Sequence, residues 1–401
     1  MANSLLTIDM ITRKTLEILD NNLVITRNVN RQYDDSYAVE GAKIGATLRI
    51  RLPDRALVTD GAALQVQDDN EQYTSLFVSS QKHVGVNFTT AEMTMQLDDF
   101  ADRVLTPRIS QLAAAIDSDV ANSFRSVFQS VGTPGTTPAS SLVLLQAQQK
   151  LNEAAAVMSP RYAVVNPAAN AGLLEGMKGL FSPTSTISRQ FKNGMMGEGV
   201  LGFDEIAMSQ SIKLLTTGTR TNGTVATTIT AQGANQIALT GLGANATIRA
   251  GEVFTVGSVF AVNPQTREST GSLQQFVVTA DVTASGAGAA TVTVSPAIFT
   301  ATNALATVDT FPQSSAAVTF LGAASTSYPQ NLVFHQNAIT FATADLLLPQ
   351  GVDMASRQVY NGISLRIVRQ YDINNDRMPC RIDVLYGYST IRPAMACRIW
   401  G

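Results

Sequence analysis

Between Leu97 and Val131 the apolar residues Leu97, Phe100, Val104, Ile109, Leu112, Ile116, Val120, Phe124, Val127 and Val131 recur at steps of three to five. That spacing keeps them on one side of a 3.6-residue helix, while Asp117, Asp119 and Arg125 project elsewhere. Pro107 cannot donate a backbone N–H, and Thr106 before it is a suitable N-cap. The pattern predicts a short helix to about Leu105, a joint, and a long helix from Pro107 to about Ser130. At 1.5 Å per residue the second piece is on the order of 36 Å long. Gly132, Pro134 and Gly135 stop it. This rod organises the rest of the chain.

Ahead of it, Ile8, Ile11, Thr15, Leu16 and Leu19 predict one amphipathic helix closed by Asn21 and Asn22. Such a helix is marginal alone and must dock, either on its own domain or on a neighbouring subunit. From Gly41 the period changes to two. Leu48, Ile50 and Leu52 alternate with Thr47, Arg49 and Arg51, and a second run from Leu76 to Phe88 returns with Val84, Val86 and Phe88. The polar stretch between them carries Asp60-Gly61, Asp68-Asp69-Asn70 and Glu71, all turn formers. The two runs predict an extended hairpin, which needs a further surface to lie on.

After the rod, Leu142 to Met158 cycles as a helix capped by Ser140 or Ser141, and Pro160 stops it. Tyr162 to Val165 is a short buried strand, followed by a short helix at Ala169–Met177. From Thr216 to about Ser327 the chain is Thr, Ala, Gly, Val and Ser with only seven charged residues: Arg220, Arg249, Glu252, Arg267, Glu268, Asp281 and Asp309. Short alternating runs every ten or so residues predict a small antiparallel barrel or sandwich. Beyond Pro329, Leu332 to Leu348 is largely apolar, Ser364–Arg369 and Cys380–Tyr386 alternate as strands, and DINNDRMP between them is a dense turn signal. A last strand runs through Ala394 to Trp400.

Length and composition narrow the class. A chain of 401 residues accommodates two or three domains. Only 15% of residues are charged against 45% hydrophobic, which points to an obligate oligomer covering part of its surface with protein. A formal net charge of −3 excludes a strongly basic nucleic-acid reader. Cys380 and Cys397 have no metal-type spacing and read as reduced thiols. The opening MANSLLTIDMITRK does not read as a signal peptide, and no run reaches membrane-spanning length, so a cytoplasm-like compartment is expected.

Catalytic chemistry finds no foothold. His83 and His335 are the only histidines, and neither sits near a Cys or carboxylate at ligand spacing, so no metal is expected. His83, in an alternating strand, reads as structural. There is no GxSxG, P-loop or GxGxxG opening a helix after a strand. Asn193 to Gly202 is glycine-dense but lacks the lysine a phosphate cradle needs. The acid pairs Asp98-Asp99 and Asp117/Asp119 read as a solvated helix face or as complements to the helix dipole. No catalytic residue and no cofactor is expected.

The parts resemble the major capsid proteins of tailed phages with the HK97-type fold, and more closely the P-22-type coat proteins that carry an insertion domain. The resemblance rests on GAKIGATLRIRLP (Gly41 to Pro53), LDDFADRVLTPRISQLAAAID (Leu97 to Asp117), RYAVVNP (Arg161 to Pro167) and GFDEIAMSQSI (Gly202 to Ile212). It is strongest in NLVFHQNAITFATADLLLP (Asn331 to Pro349) and SLRIVRQYDINNDRMPCRIDVLYG (Ser364 to Gly387). In the insertion only position and β character agree.

The resemblance implies an α+β HK97-like capsid fold with an inserted antiparallel barrel-like domain. Its parts would be an N-terminal arm (1–40), an E-loop hairpin (41–88), a peripheral domain with the spine helix and part of the axial domain (89–215), the insertion (216–327), and the axial domain with return strands (328–401). It implies a structural protein that self-assembles into hexamers and pentamers of an icosahedral head, through a procapsid that matures by conformational change. Implied partners are copies of itself, a scaffolding protein, a portal protein, and packaged double-stranded DNA met weakly; no membrane is involved. Related proteins crosslink E-loop lysines, but Lys43 is the only lysine near the hairpin base and none lies at its tip, so no crosslink is expected. Candidate assembly contacts are Arg49, Arg51, Asp54, Arg55, Arg249, Glu252, Arg267, Glu268, Asp372, Asp376 and Arg377. The charges of the insertion could pair across subunits or simply be solvated.

Rival readings are an encapsulin-like compartment, a β-rich carbohydrate-binding or hydrolytic protein, and a surface adhesin. The insertion weighs against the first, the lack of convergent polar groups against the second, and the opening sequence against the third.

Overall fold

The computed structural model describes residues 8–31, 47–53, 55–56, 61, 66, 72–88, 105–177, 197–374 and 377–401. The expected helix before Leu105 and the glycine-dense stretch up to residue 196 lie outside them. The chain divides into two compact units: Met1–Ile50 with Thr74–Val120 and Ile339–Ser389, and Arg51–Tyr73 with Ala121–Ala338 and Thr390–Gly401.

The first unit is built on a five-stranded sheet. Its strands are β3 (Ser80–Phe88), β18 (Ile339–Ala344), β19 (Met354–Tyr360), β20 (Ile363–Arg369) and β21 (Met378–Thr390), with β3 paired antiparallel to β21. Helix α1 (Ile8–Asn22) packs on β19 and β20 of this same unit, so the leading helix docks on its own chain. Leu16 and Leu19 are buried in the contact, and Asp20 accepts from Arg31 and from Asn361, each at 2.9 Å. Asn361 and Gly362 both have positive φ in the β19–β20 turn, as a two-residue hairpin needs.

The rod is shorter than its apolar spacing predicts. Helix α2 spans Thr106–Ala121, about 24 Å, and gives way to a 3-10 turn at Asn122–Ser126. The apolar rhythm runs on because Phe124 and Val127 are also fully buried, whereas Asn122 and Ser123 are poor helix formers. The polar side of α2 is not simply a solvated face. Asp117, 2% exposed, accepts from the backbone N–H groups of Val24 (2.6 Å), Ile25 (3.2 Å) and Thr26 (2.9 Å) and from the Thr26 hydroxyl (2.6 Å). Asp119 pairs with Lys82 at 2.7 Å and accepts from the Tyr386 hydroxyl at 2.6 Å, which fastens α2 to β3 and β21.

The predicted hairpin divides differently too. Strand β1 (Thr47–Arg51) forms a two-stranded sheet with β2 (Tyr73–Phe77), while β3 leaves to join the five-stranded sheet. The run from Leu76 to Phe88 breaks at Val78, which is buried. His83 lies on the exposed side of β3 rather than in a core.

The second unit carries a seven-stranded sheet in the order β4 (Ser130–Val131), β22 (Ala396–Trp400), β17 (Ser327–His335), β5 (Arg161–Val165), β7 (Phe203–Met208), β6 (Gly197–Val200), with β8 (Leu214–Thr216) also pairing with β17. Helices α3 (Ser141–Glu153) and α4 (Pro167–Met177) cover it, and Ser140 caps α3 by accepting from the Leu142 N–H. Leu144, Ala147, Leu151, Val165, Phe203, Val333 and Ile399 form its core.

The Thr-, Ala- and Gly-rich stretch closes into a six-stranded antiparallel barrel in the order β10 (Ala234–Thr240), β15 (Ala290–Ile298), β13 (Ser269–Val278), β12 (Val253–Val262), β16 (Ala317–Phe320), β9 (Gly223–Val225). A small side ribbon pairs β11 (Thr247–Ile248) with β14 (Val282–Thr283). The barrel has its own core, in which Phe254 stacks obliquely with Phe276 and Phe320. Chain enters and leaves through a short ladder in which Leu214, Leu215 and Thr216 face Pro329, Tyr328 and Ser327.

Cys380 and Cys397 are both free and buried, and burial pushes each thiol up to about 12. A thiol-directed reagent at pH near 8 should therefore label neither cysteine in the native subunit and both after denaturation. Rapid native labelling of either would contradict their burial.

Candidate assembly interface

The barrel neck is locked by one buried ion pair. Glu252, fully buried, accepts from Arg220 Nε at 2.7 Å through Oε2, and through Oε1 from the N–H groups of Gly218 (2.7 Å) and Arg249 (2.8 Å). Arg220, 3% exposed, also donates to the Gly322 and Leu321 carbonyls at 3.0 and 3.1 Å and lies over the Phe320 ring at 4.5 Å. The pair thus stitches together the entering segment, the departing segment and the 249–252 turn. Glu252 cannot meet a neighbouring subunit, and the expectation that it forms an assembly contact is corrected. Its sequence context hid this, because a lone acid among small polar residues carries no mark of burial.

The other candidates occupy separate places. Arg49 and Arg51 stand on the exposed side of β1, with Ile50 buried between them. Arg55 sits at the lip of a ≈ 540 Å³ groove in the second unit, lined also by Lys150, Glu153, Leu273 and Arg392. Partial burial there, reinforced by Arg392, lowers the Arg55 guanidinium from its ordinary value. Arg249 is already satisfied within the barrel, pairing with Asp281 at 2.9 Å on an exposed flank. Arg267 and Glu268 lie in the β12–β13 turn, where Arg267 takes a positive φ of 59° and Asn263 accepts from Gln265 and Thr266. Asp372 and Arg377 face each other across the β20–β21 turn, linked backbone to backbone and by a 3.8 Å ion pair. Asp54 and Asp376 lie outside the described residues.

Among the described residues, no three His, Cys, Asp or Glu side chains cluster as a metal site would need, and no helix is long and apolar enough to cross a membrane.

No curated protein matches the chain. Among solved structures, a chain of Mycobacterium phage Che8 aligns over 94% of this chain and 90% of its own, at 12% identity with a TM-score of 0.48. The asymmetric unit of the bacteriophage PhiM1 mature capsid aligns over 88% and 81%, at 12% identity and a TM-score of 0.41. The CUS-3 coat protein I-domain aligns over 26% of this chain and 98% of its own, at 26% identity and a TM-score of 0.20. The decisive match is to the family described as P22 coat protein, gene protein 5, over residues 1–401. The chain belongs to the P22 coat protein family.

It is therefore the major coat protein of a tailed-phage capsid, located in the virion, and a structural protein rather than an enzyme. Its fold is α+β and carries an inserted six-stranded antiparallel barrel. As a coat protein it acts by self-assembly into a shell. The compartment, carbohydrate-binding, hydrolase and adhesin readings give way to this match. Residues to which the sequence gave no buried role carry much of the subunit's internal order: Arg220, the partner of Glu252, Asp117 beneath the leading segment, and the buried Arg161, His335 and Arg398 of the second unit.

His335 gives this coat protein a pH dependence. It is 3% exposed, and its Nδ1 accepts from the Asn337 N–H at 3.1 Å. Burial lowers its pKa, aided by Arg161 and Arg392 and opposed by the Ser159 carbonyl and Asp204. The unfolded chain takes up this proton near pH 6.5, the folded subunit only at lower pH, so stability falls as pH drops below about 6.5. His335→Gln should flatten that fall in thermal scans between about pH 7 and pH 5; an unchanged slope would assign the effect elsewhere.

Proposed function

We propose that this coat protein first assembles as a procapsid around a separate scaffolding protein, incorporates a portal, and matures by conformational change around double-stranded DNA. The observation that supports this best is the end-to-end match to a coat protein family. A net charge of −3 accords with weak, non-specific contact to DNA. Large apolar side chains left open on the isolated subunit, among them Ile373 and Leu347 at 80% and 81% exposure, accord with surfaces that other subunits cover.

In this reading 1–40 is the arm, 41–88 the E-loop hairpin with its last strand β3 joined to β21, 89–215 the peripheral domain with the spine helix and part of the axial domain, 216–327 the insertion, and 328–401 the axial domain with return strands of the peripheral domain. Contacts between subunits run through Arg49, Arg51 and Arg55 in and after β1, Arg249, Arg267 and Glu268 on the barrel, Asp372 and Arg377 on the β20–β21 turn, and also Asp54 and Asp376. Each exposed pair is worth only about 0.2–1 kcal/mol, but repetition over a shell multiplies small terms. Heterologous contacts that close into rings of five and six generate the shell.

Expression with and without the cognate scaffolding protein, followed by electron microscopy, tests the proposal. Uniform closed shells are expected only with the scaffold; equally uniform shells without it would remove the scaffold from the account. Arg377→Glu should slow assembly while leaving the thermal unfolding of the subunit unchanged.

A further inference from the structure

We propose that Arg398 is a positioning residue that fixes the bearing of the inserted barrel on the sheet of the second unit, and that uniform shells depend on this bearing. The proposal rests on the coat-protein function.

The barrel core and the core of the seven-stranded sheet are separate apolar clusters. The neck that joins them is a ladder of three residue pairs. The Arg220–Glu252 pair ties that neck to the barrel, so the angle between the neck and the sheet must be set at the joint itself. The polar contacts at the joint do this. Arg398, on β22 and fully buried, donates through Nη1 to the Gly251 carbonyl of the barrel at 2.7 Å and to Gln330 Oε1 of the sheet at 3.3 Å. Its guanidinium lies 5.8 Å from the Phe124 ring centroid and 5.7 Å from that of Trp400. Among the described residues no carboxylate pairs with it, and burial pushes the guanidinium down to about 9. A charge kept inside at that cost is there for its geometry.

Two further contacts point the same way. Gln275 of β13 accepts from the Ser130 N–H at 2.7 Å and donates to the Ser130 carbonyl at 2.9 Å. Its amide thereby imitates a neighbouring strand on β4, the end strand of the sheet. Gly251 itself has φ +96°, and a Cβ there would come within 3.2 Å of Arg125 and 3.3 Å of Phe124. The 249–252 turn thus has two roles: Glu252 closes the barrel inward, and Gly251 presents its carbonyl outward to Arg398.

The test uses full-length Arg398→Met, Gln275→Leu, their combination, and Arg398→Lys. Three readouts are compared: amide-exchange protection of β12 and β13, proteolysis of the native subunit at the neck, and the particles formed with the scaffolding protein. In the double variant, neck cleavage should rise about tenfold while barrel protection stays within about twofold, and particles should be irregular or mixed in size. Arg398→Lys keeps the charge but not the planar guanidinium whose single Nη1 reaches both Gly251 and Gln330, and should follow Arg398→Met. Gln275→Leu, on the barrel surface, carries the test alone if Arg398→Met does not fold. Uniform wild-type shells from the double variant, restoration by lysine, or a fall in barrel protection in step with neck cleavage would each overturn the proposal. Failure of the wild-type chain to form shells in the same experiment would instead count against the coat-protein function.

Discussion

Glu252→Ala should destabilise the barrel by about 3–5 kcal/mol, the usual cost of removing one partner of a buried ion pair. The loss is large because the carboxylate satisfies three donors, Arg220 Nε and the N–H groups of Gly218 and Arg249, and because Arg220 is left charged inside. Trp400, the single tryptophan, lies in β22, so its fluorescence reports the sheet and amide exchange is needed to report the barrel. Exchange should accelerate across β9, β12 and β16 together. Arg220→Met combined with Glu252→Ala should cost less than the sum of the single changes, since the double variant leaves no uncompensated charge. Strict additivity would show that the two side chains do not act as a pair.

Asp117→Ala should release the segment after α1. Hydrogen bonds to a charged acceptor contribute about 1.5–3 kcal/mol each. Asp117 accepts four from a stretch of three residues, and the Ile25 and Thr26 donors among them are buried. Loss of protection at the Val24, Ile25 and Thr26 amides, with new tryptic cleavage at Arg27 and Arg31, is the expected result. Asp117→Asn keeps an acceptor oxygen and should fall between. Unaltered protection at those three amides in Asp117→Ala would mean that the segment is held by its apolar contacts, Leu23, Ile25 and Val29, instead.

Periodicity made the repeated elements legible. The amphipathic spacing at Ile8–Leu19 became α1, the Ser140 cap began α3, and the alternation through 216–327 became a closed barrel. What periodicity could not show is where a charged side chain points. Asp117 and Glu252 look like solvated acids in the sequence, and each is buried because groups distant in the chain converge on it: the N–H groups of Val24, Ile25 and Thr26 on Asp117, and Arg220 and the Gly218 N–H on Glu252. The rod's end was also hidden, since Phe124 and Val127 continue the apolar rhythm in a 3-10 turn and a strand approach. Helix α1 docks on β19 and β20 of its own unit, which is one of the two surfaces the sequence left open for it. The shell does not depend on that choice, because the family membership rests on the whole chain.

This subunit is made to be completed by copies of itself. The decisive experiment is electron cryo-microscopy of the particles that this chain forms on expression. Closed icosahedral shells bearing one six-stranded barrel per subunit are the expected result. A soluble subunit that stays monomeric at every concentration and forms no shell would contradict the account.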